Sequence, residues 1–219
     1  MLKKLYPKRF EVFFFSQIAV LFGSLIVPIA LFENILSPIL FQINLLAGIL
    51  LISKKPKLMW FFIILLAAAV VIFGSSLVEN RNEKLFDFIR MCIYFLFYVI
   101  VTFEIIKQVW QTKLVNKNVI FGMISGYISL GLIGFFICLS IEMGNPHSFE
   151  GLLITGASPN GLTERIMYYS YTTLLTIGYG DIHPITPLAQ KAAVLIGLAG
   201  QFYLVIITAI VVGKYINQT

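Results

Sequence analysis

Along this chain, apolar runs long enough to cross a bilayer follow one another with only short polar gaps between them. A hydrocarbon layer about 30 Å thick calls for about 20 apolar residues in a helix. Six stretches meet or approach that length, over residues 10–31, 36–52, 58–78, 86–109, 119–141 and 188–216. The second is the shortest and carries Pro38, Gln42 and Asn44. Between the fifth and sixth the chain turns too polar to span, yet residues 162–175 form a semi-apolar segment of their own. That segment is too short to cross and suits a re-entrant helix buried in protein. The pattern predicts an all-α integral membrane protein of six transmembrane helices, with a re-entrant helix and a loop between the fifth and sixth.

Composition agrees, since hydrophobic residues make up 59% of the chain, charged residues 12%, and mean hydropathy is +0.92. The basic residues set the orientation. Eleven of the sixteen Lys and Arg residues, among them Lys3, Lys4, Lys8, Arg9, Lys54, Lys55, Lys57, Lys107, Lys113, Lys117 and Lys214, fall on the side of the two termini. The other five, Arg81, Lys84, Arg90, Arg165 and Lys191, are mixed with acids such as Glu33, Glu79, Asp87 and Glu142. The positive-inside rule then places both termini in the cytoplasm of a multi-pass cell-membrane protein. Topology accounts for the net charge of +6, and nothing in the pattern points to nucleic acid. The N-terminal basic residues imitate a secretory signal, but the apolar run after them is too long and lacks an A-x-A site, so it reads as the first span. Cys92 and Cys138 fall inside spans and read as small buried hydrophobes. No nucleophile, base and orienting group converge, so no enzyme is expected.

The polar gap before the last span contains Thr176-Ile177-Gly178-Tyr179-Gly180-Asp181. A backbone whose successive carbonyls point one way needs alternating left- and right-handed dihedrals, and Gly178 and Gly180 adopt the left-handed ones without steric cost. Ile177 and Tyr179 can then pack behind the loop, and Thr176 adds a hydroxyl oxygen at its inner end. This hexapeptide, preceded by a short helix and followed by a long one, resembles the selectivity filter and pore domain of the tetrameric potassium channel superfamily. The resemblance covers somewhat less than half of the chain, from about residue 121 onward.

The resemblance implies a division into a four-helix domain at 1–118 and a pore domain at 119–219. The pore domain would hold an outer helix (119–141), a pore helix (about 162–175), the filter (176–181) and an inner helix (about 187–216). It also implies K⁺ bound by oxygens of Thr176, Ile177, Gly178 and Tyr179, with Gly180 completing the loop and no other cofactor. One filter per chain makes the site a four-chain object, a homotetramer in membrane lipid. Tyr168 and Tyr169 fall where the family places aromatics that brace the filter, although belt aromatics at the membrane surface occupy such positions too. Thr172 takes the place of a glutamate that pairs with the filter aspartate in some bacterial members, so the partner of Asp181 is open. On the inner helix, Gly200 and Gly197 compete as hinge or close-packing positions, Thr208 matches a cavity-lining position, and Val212 one turn on would form an apolar constriction. His183 would ring the outer mouth, either as an acid-sensitive blocker of K⁺ or as a solvated loop residue.

The first four spans imitate the layout of voltage-gated members, whose fourth helix carries a basic residue at every third position. Here Arg90 and Lys107 stand alone near opposite ends of that helix. Steep voltage gating needs about three to four charges per subunit, so weak or no intrinsic voltage gating is expected. Glu104 is expected to pair with Lys107 at i+3, and Arg165 to be solvated or interfacial. From the short tails and loops, no ligand-binding regulatory domain is expected. Alternatives are a potassium uptake transporter subunit, disfavoured by the single filter, and a non-conducting membrane receptor or structural partner.

Overall fold

A computed structural model describes residues 5–78, 83–152 and 161–217. Lys3, Lys4, Glu79, Arg81 and residues 153–160 of the long polar loop lie outside the described residues. The described chain is almost wholly helical. Its helices are α1 (Arg9–Phe22), α2 (Ser37–Ile52), α3 (Pro56–Val78), α4 (Glu83–Gln111), α5 (Lys117–Gly144), α6 (Leu162–Leu174), α7 (Pro187–Phe202) and α8 (Thr208–Ile216). Two-residue strands β1 (Phe149–Glu150) and β2 (His183–Pro184) pair antiparallel, with Glu150 opposite His183.

Five helical runs among the described residues are long and apolar enough to cross a membrane: Phe32–Ile52, Pro56–Ser75, Leu85–Gln111, Lys117–Gly144 and Pro187–Ile216. The run expected over 10–31 is not one helix. α1 stops at Phe22, a tight turn follows at Gly23–Leu25, and Pro28 is extended at φ −55° and ψ 142°. Fourteen residues rise about 21 Å, less than the hydrocarbon thickness. The break has a local cause, because Pro28 has no N–H to continue a helical ladder. The chain re-enters a helix at Ile29–Leu31 and passes through a wide turn at Phe32–Leu36 into α2. The doubtful second stretch is therefore long and apolar enough to cross, begun earlier than its apolar run suggests.

Burial sorts the spans. In the most apolar window of Phe32–Ile52, 61% of residues are buried, against 17% for Pro56–Ser75, so α3 is the outermost of the two. The centre is aromatic: Phe41 stacks on Tyr94 at 5.0 Å, Tyr98 on Phe136 at 5.8 Å, and Phe97 meets Tyr98 edge-on at 4.9 Å. Buried amides knit α1 to its neighbours. Gln17 donates to Ser129 Oγ at 2.7 Å, while Asn44 donates to Ser16 Oγ and accepts from the Tyr98 hydroxyl, each at 2.7 Å. Such bonds are favoured where no water can satisfy the groups.

Glu104 pairs with Lys55 across the α2–α3 turn and not with Lys107, which is exposed. The carboxylate is only 13% exposed and Lys55 41%, so the cross-helix partner offers more shelter than a neighbour on the same helix surface. At the same end of α4, Lys214 of α8 donates to the carbonyls of Val109, Trp110 and Thr112. An ammonium there satisfies orphan carbonyls and opposes the negative end of the helix dipole.

Candidate functional site

The hexapeptide hangs from the end of α6. Gly161, whose φ of 109° suits glycine, immediately precedes α6, and its N–H donates to Glu33 Oε2 at 2.8 Å. At its other end the Thr172 carbonyl accepts two loop N–H groups, from Ile177 at 2.8 Å and Gly178 at 3.2 Å, and the Thr173 carbonyl accepts that of Thr176 at 3.1 Å. The last helix carbonyls are thus turned onto the loop, and Thr172 acts through its backbone. Its hydroxyl bonds back to Tyr168 and Tyr169 carbonyls and does not reach Asp181.

Positive φ recurs at every second residue of the loop: 58° at Thr176, 59° at Gly178 and 83° at Gly180. Ile177 and Tyr179 between them do not share it. Glycine explains two of these positions, but a β-branched threonine in the left-handed region is strained by about 1–3 kcal/mol and persists only where its surroundings hold it. Nothing in the sequence marks Thr176 for this conformation; the signal is its register, two residues before Gly178. Residues 175–181 are all exposed in the single chain, Tyr179 at 72%. Ile177 is exposed as well, so the packing expected behind the loop is not supplied by its own chain, apart from Tyr179 lying parallel to Tyr168 with ring centroids 6.5 Å apart.

Tyr168 supplies the partner that Thr172 does not: its hydroxyl donates to Asp181 Oδ1 at 3.2 Å. Desolvation, and then this bond, hold the Tyr168 phenol above its usual range. Tyr169 is buried and meets the Phe149 ring edge-on at 5.0 Å. The loop ahead of α6 is tied down by further contacts. Glu142 accepts from the backbone N–H groups of His147, Ser148 and Phe149. Arg165 is not simply solvated but donates to the carbonyls of Gly151 and Leu152 at 3.0 and 3.1 Å. Gly151, with φ 86°, lets the loop approach the Asp181 carbonyl so closely that a Cβ there would collide with it. His183 lies beside Glu150, Nε2 to Oε2 at 3.1 Å, both exposed.

Behind the loop, α5 offers a glycine-rich face. Gly131 makes room for the Tyr171 ring, Gly134 for Ser170 and Ile196, and Gly126 for the Tyr203 hydroxyl. Small residues of this kind let membrane helices approach closely. Ser170 donates to the Gly131 carbonyl, Tyr171 to that of Ile128 and Tyr203 to that of Met123. On the inner helix the two glycines differ. Gly200 is buried against the Leu174 carbonyl, whereas nothing lies within 4 Å of a Cβ built on Gly197. A wide turn at Tyr203–Ile207 follows, and Thr208 and Val212 beyond it are exposed in the single chain. Wide turns of this kind are local irregularities at which helices bend.

Residues 151–217, from the loop ahead of α6 through the hexapeptide to α8, match the family model described as ion channel. This segment is thus similar to an ion channel domain, set among helices long and apolar enough for a multi-pass membrane protein. The chain is also similar to a protein of rice, Oryza sativa subsp. japonica, named potassium channel KAT6, at 27% identity over 99 residues. That similarity covers 42% of this chain and 16% of the rice protein. No solved structure matches the chain.

Proposed function

We propose that the chain is a subunit of a potassium-selective channel of the cell membrane, which passes K⁺ down its gradient through a pore ringed by four copies. One observation carries this reading: the positive φ at Thr176, Gly178 and Gly180, alternating with Ile177 and Tyr179. A backbone that changes hand at each residue turns successive carbonyls to one side, and four such loops around an axis replace the hydration shell of K⁺. The oxygens are those of Thr176, Ile177, Gly178 and Tyr179, with Gly180 and Asp181 at the outer end. Full exposure of the loop in one chain fits an object completed by its copies. The ion channel match over 151–217 and the similarity to a plant potassium channel support the same reading.

Tyr168 braces Asp181, Tyr169 packs behind it, and Thr172 holds the loop by its carbonyl. Thr208 lines the cavity, Val212 narrows it, Gly200 fits the inner helix to the pore helix, and Gly197 is the freer of the two glycines. The start of α1 and the end of α8 sit at the same end of α4, Arg9 bonded to Gln108 and Lys214 to Trp110, and the basic bias makes that end cytoplasmic, which puts His183 at the outer mouth. Arg90, held by Asp87 at 2.6 Å, leaves α4 without a row of movable charge, so opening depends weakly on voltage.

Reconstitution into liposomes tests the reading. Under opposed K⁺ and Na⁺ gradients, the reversal potential is expected to follow K⁺, and cross-linking is expected to stop at four chains. A reversal potential that follows Na⁺ equally, or flux that requires a coupled ion, would refute a passive potassium channel.

A further inference from the structure

A cavity of about 280 Å³ lies at the loop end of the bundle, between the Phe32–Leu36 turn, α2, α4, α5 and the start of α6. Its charged lining consists of Glu33, Asp87 and Arg90, and its walls are largely apolar, with Phe41, Phe135 and Phe136 among them. Asp87 and Arg90 neutralise each other at 2.6 Å. Glu33 has no cationic partner among the described residues: Oε2 accepts the Gly161 N–H, and Oε1 is buried without a hydrogen bond. A carboxylate set against apolar walls with half its acceptor capacity unmet favours a nearby cation. The rings add to this preference. Phe41 lies 5.7 Å from Phe136, which lies 4.8 Å from Phe135, and aromatic faces attract ammonium groups.

We propose that this cavity binds a small organic cation, an ammonium group at Glu33 carried on an apolar body that lies against the phenylalanines. The volume equals that of roughly nine waters, room for an amine of about that many heavy atoms. A bare inorganic cation fits less well, because apolar walls cannot replace the six or so oxygens it takes in water. The site is separate from the hexapeptide, so binding is measured without reference to conduction.

The test uses the full chain in lipid nanodiscs, phenethylammonium as probe, and neutral 2-phenylethanol as a control of the same shape, read by isothermal titration. The amine is expected to bind about tenfold tighter than the alcohol. Glu33→Gln is expected to remove that advantage and leave the alcohol unchanged. Asp87→Asn alters an exposed carboxylate, frees Arg90, and is expected to weaken the amine about fivefold; it decides the question alone if the Glu33 variant does not fold. Glu164→Gln, at a second cavity between α1 and α6, is expected to change nothing. Equal binding of amine and alcohol, amine binding untouched by both Glu33→Gln and Asp87→Asn, or loss on Glu164→Gln would each overturn the proposal.

Discussion

Adding one methyl group at either glycine of the inner helix separates close packing from free hinging. At Gly200 a Cβ would fall inside 3 Å of the Leu174 carbonyl oxygen, with Leu174 Cδ1 at 3.0 Å and Cγ at 3.2 Å. The obstacle is main chain and cannot swing aside. The same carbonyl is held from another direction by the Tyr127 hydroxyl at 3.2 Å. Relief needs about 1 Å of separation between α7 and the end of α6, an overpacking cost of about 1–3 kcal/mol. At Gly197 a Cβ meets nothing within 4 Å. Both substitutions gain the same helix propensity, about 1 kcal/mol, so this term cancels on comparison. Gly200→Ala is therefore expected to be about 1–3 kcal/mol less stable than Gly197→Ala, with Gly197→Ala at or above the parent. Equilibrium unfolding by SDS titration in mixed micelles, followed by helical circular dichroism, measures the difference. Equal stability of the two variants would mean that Gly200 is not packed against Leu174, and would return it to the role of hinge.

Other contacts make comparable claims. Tyr168→Phe removes the hydroxyl that holds Asp181 and is expected to hasten the decay of K⁺ flux in liposomes; unchanged decay would count against a brace there. Glu104→Gln is expected to cost about 1–2 kcal/mol in the same micelle titration while Lys107→Gln stays within about 0.5, because Lys55 is the partner; the reverse order would restore the i+3 pairing. Lys214→Gln removes a positive charge from the end of α4, a loss of about 1 kcal/mol, and should raise amide hydrogen exchange near residues 109–112; undiminished protection would show the contact to be dispensable.

What the sequence conveyed, and what it withheld, follows the range of the interactions involved. Spans over α2 to α5 and the last helix are legible because length and apolar composition are local properties, and Gly178 and Gly180 are legible because glycine announces positive φ. The break at residues 23–28 was equally local, yet the uniform apolarity around Pro28 masked it. Thr176 is different in kind: its left-handed backbone is imposed by the alternation of its neighbours and by N–H groups hung from Thr172 and Thr173, against its own preference. The partners of Glu104, Glu33, Arg165 and Asp181 lie 49, 128, 13 or 14, and 13 residues away, beyond the reach of any i, i+4 rule. The glycines of α5 read as generic membrane-helix residues until the rings that fill them are in view.

Those long-range contacts bear on how the two halves of the chain can communicate. Only residues 112–116 join α4 to α5, and five residues reach at most about 18 Å when fully extended. Within the chain the halves are fastened at three levels: Lys214 to the end of α4, Gln17 to Ser129 in the middle, and Glu33 to Gly161 at the start of α6. The third of these sits on the helix whose other end holds the hexapeptide through Thr172. A movement of the α1–α2 connection therefore meets α6 of its own chain directly, and a movement of α4 meets the end of its own α8. With no row of basic residues on α4, these two contacts are the shortest routes by which a displacement of the first four helices would reach the hexapeptide or the last helix, because a packed helix moves as a body.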